Sequence, residues 1–422
     1  MPVGQMLIAL VALVAISLAG APHASADDGE KRRVRFATFN ASLNRDAEGR
    51  LVSDLSKPGN DQADAVAEIV QRVRPDILLV NEFDYDARGQ AARLFERNYL
   101  GRPHRGARPL DYRHRYVAHS NTGIPSGFDL DNNGSVGGPG DALGFGAFPG
   151  QFGMAIFSKH PIDRSAIRTF QNFRWKDMPG ALLPDRVETP EPRDWYSREE
   201  LGIFRLSSKS HWDVPIRIGD DTVHFLTSHP TPPVFDGRED RNGRRNHDEI
   251  RLFADYITPG RGRYLYDDKG RRGGLSPSAP FVIAGDQNAD PFDGEAVPGA
   301  IQQLLGSPRI NTSRTPSSRG GVEQSRKQGG ANLSHRGNPA FDTADFADSS
   351  PGNLRADYVL PRRDLKIRGS GVFWPLSSDP LFKPVGVFPF PSSDHRLVWV
   401  DVEPSGRQSD DDDEDDDEDD DD

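Results

Sequence analysis

Phe281-Val282-Ile283-Ala284 runs straight into Gly285-Asp286-Gln287-Asn288. A short apolar run bounded by turn-forming residues reads as a strand buried on both faces. The glycine at its end lets the backbone turn and lets a ligand approach closely. Asp286 and Asn288 are two apart, so on an extended strand end they point to the same side. One can accept a proton while the other donates a hydrogen bond. A carboxylate beside an amide at a strand mouth suits attack by water on a phosphate. On its own this pattern also fits an Asx turn that closes a strand.

The same arrangement recurs along the chain. Lys31 to Asn40 reads as a strand, and Ile77-Leu78-Leu79-Val80 as a second that ends at Asn81-Glu82. Gly153 to Ser158, Thr222 to Ser228 (ending at His229-Pro230), Asp357 to Leu360 and Leu397 to Val402 read likewise. Helical spacing is clear over Asp61 to Val73, stopped by Pro75, and over Asn246 to Ile257. The polar stretches 100–150, 172–200, 259–279 and 306–355 read as loops rich in Gly, Pro, Ser and Arg. Many strands with two evident helices predict an α+β fold: two stacked sheets with helices outside.

Met6 to Leu18 is almost wholly apolar and Ala24-Ser25-Ala26 is a small-x-small cleavage pattern, so residues 1–26 read as an export signal. The expectation is a secreted protein with no transmembrane segment. Cysteine is absent, which excludes disulfides, thiolate metal sites and a cysteine nucleophile. The net charge of −12 is misleading, because Asp410 to Asp422 is an unbroken run of 13 acids. Removing it leaves a body of about +1 (−12 + 13). Residues 404–422 are therefore expected to be a disordered acidic tail. A near-neutral body does not announce a face for duplex nucleic acid. Residues 100–115 do hold five arginines and two histidines.

Six strand-end motifs occur in order: Thr38-Phe39-Asn40, Asn81-Glu82, Ser228-His229, Gly285-Asp286-Gln287-Asn288, Arg355-Ala356-Asp357-Tyr358 and Ser393-Asp394-His395. This series resembles the endonuclease/exonuclease/phosphatase superfamily, and the resemblance covers residues 32–403 as one domain. It implies a four-layer α/β/β/α sandwich of two packed, mainly antiparallel sheets with outer helices and long decorating loops. It also implies hydrolysis of a phosphoester by a metal-activated water. Under it, Asn40, Glu82 and Asp394 stand at the metal, which hard oxygen ligands suit as Mg²⁺ or Mn²⁺. Asp286 matches the group that orients or deprotonates the water, and Asn288 the donor to a phosphate oxygen. His395 matches the catalytic histidine, Asp357 the acid that holds its ring, and His229 a group supporting the leaving oxygen or the phosphate. The family often places a further acid shortly after the first Asn; here Ala41-Ser42 follows.

Three further features bear on ligands. Lys209 and His211, in the stretch before the His229 strand, are candidates to bind substrate phosphate. Asp129, Asp131 and Asn133, followed by Gly134, resemble the start of a calcium loop, so a structural Ca²⁺ is a second candidate ion. The twelfth position counted from Asp129 is Gly140 rather than Glu, with Asp141 next to it, which leaves an Asx-rich turn as the alternative. The expected partner is a phosphoester: nucleic acid, phospholipid headgroup or small phosphorylated metabolite. No stable protein partner is implied. The competing functions are a non-catalytic binding protein on the same scaffold and a phospholipid-headgroup hydrolase.

Overall fold

The apolar run 281–284 is continuous because it is buried on both faces. Val282 and Ala284 point into one hydrophobic cluster, Phe281 and Ile283 into another. Burying each large side chain contributes roughly 1.5–3 kcal/mol. The structure, a computed structural model, describes residues 33–404. The expected export signal and nearly all of the acidic tail lie outside the described residues.

The strands are β1 (Val34–Leu43), β2 (Ile77–Phe83), β3 (His114–Tyr116), β4 (Met154–Ser158), β5 (Arg168–Thr169), β6 (His211–Ile218), β7 (Asp221–Ser228), β8 (Phe281–Asp286), β9 (Ala344–Asp345), β10 (Asn353–Leu354), β11 (Asp357–Pro361), β12 (Lys366–Val372) and β13 (Val398–Glu403). One sheet has the order β12-β13-β1-β2-β4-β3 and the other β11-β8-β7-β6-β5. Each contains a single parallel pair, β1 with β2 and β7 with β8; every other neighbour is antiparallel. A separate two-stranded ribbon pairs β9 with β10.

The inner faces of the two sheets meet in one cluster, where the Phe36 and Phe225 rings lie 5.5 Å apart. The helix Asp61–Val73 covers the outer face of the first sheet with Val66, Ile69, Val70 and Val73. Asn60 caps it by accepting from the Ala63 amide, and Arg74 in the left-handed region ends it before Pro75. The helix Arg241–Ile257 covers the second sheet with Ile250, Phe253 and Ile257. The layers are therefore helix, sheet, sheet, helix, as the sequence pattern predicts. Among the described residues, no helix is long and apolar enough to cross a membrane.

Strand direction sets where chemistry gathers. Asn40, Glu82, Ser228 and Asp286 lie at the C-terminal ends of β1, β2, β7 and β8. Asp357 opens antiparallel β11 directly opposite Asp286, and residues 394–395 precede antiparallel β13. All of these ends share one rim. Gly285 is what lets two of them close up: its φ is 151°, and a Cβ there would lie 1.9 Å from the Ser228 carbonyl oxygen. Gly285→Ala is therefore expected to cost about 2–4 kcal/mol, combining backbone strain with a clash that side-chain motion cannot relieve. An unchanged urea midpoint for that variant would contradict this packing.

Candidate active site

Asp286 is the point where both sheets converge. Its Oδ2 accepts a hydrogen bond from the Asn40 amide at 3.0 Å, lies 3.4 Å from His229 Nε2 and 3.7 Å from His395 Nε2. Its Oδ1 accepts from the Asn288 backbone N–H at 2.9 Å, so the carboxylate plane is fixed. Asn288 adopts φ 51°, a left-handed geometry asparagine tolerates. Its side-chain amide donates one N–H to the Pro230 carbonyl at 3.1 Å, which leaves the second N–H for a ligand.

His395 is held from behind. Asp357 Oδ2 is 2.8 Å from His395 Nδ1, and Thr343 Oγ1 donates to the same carboxylate oxygen at 2.8 Å. Thr343 Oγ1 in turn accepts from the backbone N–H of Ala356 and Asp357. The edge of the Phe346 ring packs against the imidazole.

The two histidines sit in opposite charge environments. Burial pushes the His229 pKa far down, and Lys209 and His395 push it the same way, so His229 is neutral. Burial also works against charge on His395, but Asp357, Asp286 and Asp394 outweigh it and raise its pKa well above the usual value. The surroundings thus favour the imidazolium form of His395 and the neutral form of His229.

Glu82 stands beside this group with φ 55°, an unfavourable backbone geometry for a non-glycine residue. Two amides hold it there: Asn40 to Oε1 at 3.0 Å and Asn44 to Oε2 at 2.8 Å. Burial raises its pKa, as do the neighbouring Asp394 and Asp286 charges, against the Asn40 hydrogen bond and His395. Asp394 accepts from Ser42 Oγ at 3.3 Å. The rim therefore concentrates partly buried carboxyl oxygens that disfavour one another's charge. That donor set fits a hard divalent cation, which would relieve the repulsion. A ligand atom from each of Asp286, Asp357 and His395 also lies within 4.8 Å of the other two.

Asn44 was not visible as a site residue in the sequence. A bulge after Asn40, with Ser42 at φ 48°, re-aims the end of β1, and Asn44 reaches Glu82 beyond it. Thr343 and Glu249 were also missed. Glu249 is fully buried and accepts from the backbone N–H of Ser208 and Thr231 at 2.6 Å each, tying down the segments that carry Lys209 and His229.

Lys209 and His211 part company. Lys209 lines the same cavity as Glu82 and His229, and burial lowers its pKa. His211 is corrected as a phosphate-binding candidate: it opens β6 and is spent inside the fold. Its Nδ1 is 2.6 Å from Ser207 Oγ, its Nε2 2.9 Å from the Glu249 carbonyl, and its ring packs on Phe253. Both nitrogens are engaged inside the fold, so it has none to offer a phosphate. In the candidate calcium loop, Asp129 and Asp131 gather with Asp141, which sequence reasoning had only as a neighbour of the expected position. Asn133 instead accepts from the Ser135 N–H, and Asp129 and Asp141 accept backbone N–H bonds. The loop thus combines an Asx-rich turn with three carboxylates whose ligand atoms lie within 4.8 Å of one another.

The family model described as the endonuclease/exonuclease/phosphatase family matches residues 37–395. No curated protein matches the chain. Similar solved structures include an endonuclease/exonuclease/phosphatase from Beutenbergia cavernae, with 19% identity and a TM-score of 0.46 over 89% of this chain and 72% of that one. A TDP2 from Caenorhabditis elegans has 15% identity and a TM-score of 0.40 over 90% and 76%. Sphingomyelinase C from Streptomyces griseocarneus has 14% identity and a TM-score of 0.43 over 88% and 99%.

Proposed function

The chain belongs to the endonuclease/exonuclease/phosphatase family, and from that premise we propose that it is a divalent-metal-dependent phosphoester hydrolase acting from the rim around Asp286. The observation that carries this reading is the convergence of Asn40, His229 and His395 on Asp286 Oδ2, with Glu82 held alongside by two amides.

Each residue has a task in this reading. Asp286 accepts the proton of the attacking water as oxygen adds to phosphorus and the ester P–O bond breaks. Asn40 and the Asn288 backbone N–H hold its carboxylate in one orientation. The His395 imidazolium, oriented by Asp357, lies where it meets the negative charge that grows on the phosphoryl oxygens. Asn288 offers its free amide N–H to one of those oxygens, and neutral His229 hydrogen-bonds the leaving oxygen. Glu82, Asp394 and Asn40 would hold the cation, Mg²⁺ or Mn²⁺. When bound it supplies further positive charge at the phosphate.

Export is part of the proposal and rests on the Met6–Leu18 run and the Ala24-Ser25-Ala26 pattern. So does the reading of 32–403 as one catalytic domain, which rests on strand ends from Asn40 to His395 meeting in one site.

The test is a panel of plasmid DNA, RNA, sphingomyelin, sugar phosphates and bis-p-nitrophenyl phosphate. Each is assayed with Mg²⁺, Mn²⁺ or Ca²⁺ and again with chelator, using protein collected from the culture medium. Hydrolysis of one class that disappears with chelator, by a chain beginning at Asp27, is expected. A binding protein on a hydrolase scaffold would turn over none of them. A chain that stays in the cell with Met1 in place would overturn export alone.

A further inference from the structure

A cavity of about 620 Å³ opens beside the catalytic rim, and Glu82, Lys209 and His229 line it. The rest of its lining is largely apolar and comes chiefly from two segments the proposed chemistry does not use. The segment between β3 and β4 gives Leu130, Phe145 and Phe152; the segment after β7 gives Pro232, Val234 and Phe235. Phe145 is 65% exposed and Phe235 88% exposed. Rings left in water beside a concave apolar surface mark a place where an apolar ligand is received.

The charged groups in this cavity are not equivalent. Arg241 pairs with Glu239, and Arg245 donates to the carbonyls of Leu143, Arg205 and Leu206. Lys209 is different. It is only 7% exposed, and among the described residues its ammonium makes no hydrogen bond. Glu249, Glu82 and Asp286 influence it only at a distance. A buried cation without a contact partner is costly, and an anion entering the cavity relieves that cost. The cavity thus joins an unpaired cation, next to the residues of phosphoester chemistry, to an apolar wall.

We propose that this cavity holds the apolar ester group of the substrate. The substrate class is then a phosphoester of an alkyl or aryl alcohol, with its phosphate at Lys209 and its hydrocarbon between Phe145 and Phe235. This rests on the phosphoesterase reading above and narrows it. Sugar or glycerol hydroxyls placed against Leu130, Val234, Pro232 and the Phe rings would lose water without gaining a partner from that apolar wall, leaving the polar lining, such as Asp131, Thr231 and Asn242, to meet them.

The test is binding of phosphonates, which cannot be hydrolysed, to the full metal-supplemented protein by calorimetry. Methyl-, butyl- and octylphosphonate form the alkyl arm, phenylphosphonate the aryl arm and 2-hydroxyethylphosphonate the polar arm. Affinity is expected to rise roughly two- to fourfold per added methylene, the effect of burying one CH₂. Whether phenyl outranks butyl and octyl distinguishes aryl from alkyl. Phe145→Ser and Phe235→Ser are expected to flatten the series. Lys209→Met is expected to weaken every phosphonate without changing the slope. Phe388→Ser, which removes a comparably exposed ring outside the cavity, is expected to leave the series unchanged. Phosphonate binding that is indifferent to chain length, or equal for hydroxyethyl and butyl, would overturn the apolar subsite and leave the phosphoesterase reading standing. No binding of any phosphonate together with no hydrolysis of any ester would overturn both.

Discussion

Asp286→Asn is expected to lower kcat by about 10²–10⁴-fold while leaving the protein folded. The substitution keeps the shape, and its one carbonyl oxygen still accepts from the Asn288 backbone N–H, while its amide nitrogen replaces the oxygen that accepts from Asn40. What it removes is the capacity to take a proton. The fold does not suffer because Asp286 is held against its own ionisation: burial raises its pKa, and the nearby Asp357 adds to the shift, against the partial relief from His395. A carboxyl with a raised folded pKa binds its proton more tightly folded than unfolded, so at neutral pH its ionised form opposes folding. A neutral amide is free of that penalty. The hydrogen bond lost at Asn40 opposes that relief, so the thermal midpoint should change little while turnover collapses. A variant that retained a rate within about tenfold of the parent would show that another group handles the water.

His395→Gln is expected to cost a comparable 10²–10⁴-fold, for a different reason. Here the loss is a fixed positive charge, made by Asp357 on one ring nitrogen and aimed from the other toward Asp286. Glutamine fills similar space and can still donate to Asp357, but it cannot become cationic. Asp357→Asn separates positioning from charge. It should give a smaller loss and shift the ionisation of His395 downward, visible as a lower imidazole pKa by NMR. If Asp357→Asn left that ionisation unchanged, the carboxylate would not be what sustains the imidazolium.

The large-scale plan was legible because both sheets declare themselves chemically. Runs such as 77–80 and 281–284 are short, bounded and apolar on successive residues, which suits a strand covered on both faces. Polar residues that end such runs had to lie at a rim. Other elements hid for physical reasons. β6 carries His211, Asp213, Pro215 and Arg217 among its apolar residues, so periodicity did not reveal it. Buried partners make those polar groups tolerable: Asp213 accepts from Tyr256 and lies 2.6 Å from His224. The helix Arg319–Gln328 is polar and holds two glycines, so periodicity did not reveal it. Side chains such as Asn44, Thr343 and Glu249 become site residues only through a bulge or a contact distant in sequence, which local pattern cannot encode. Lys209 was legible as a charge near His229, but not as a buried cation that makes no hydrogen bond.

The central claim is that Glu82, Asp286 and His395 form one constellation for attack of water on a phosphoester with a divalent cation in place. Its most direct test is the rate of bis-p-nitrophenyl phosphate hydrolysis by the purified protein before chelation, after chelation, and after Mg²⁺ or Mn²⁺ is returned. The account predicts a measurable rate, its loss with chelator and its recovery with metal, with Glu82→Gln requiring a much higher metal concentration for the same rate. A rate that is indifferent to chelator, or that Glu82→Gln leaves with an unchanged metal requirement, would contradict it.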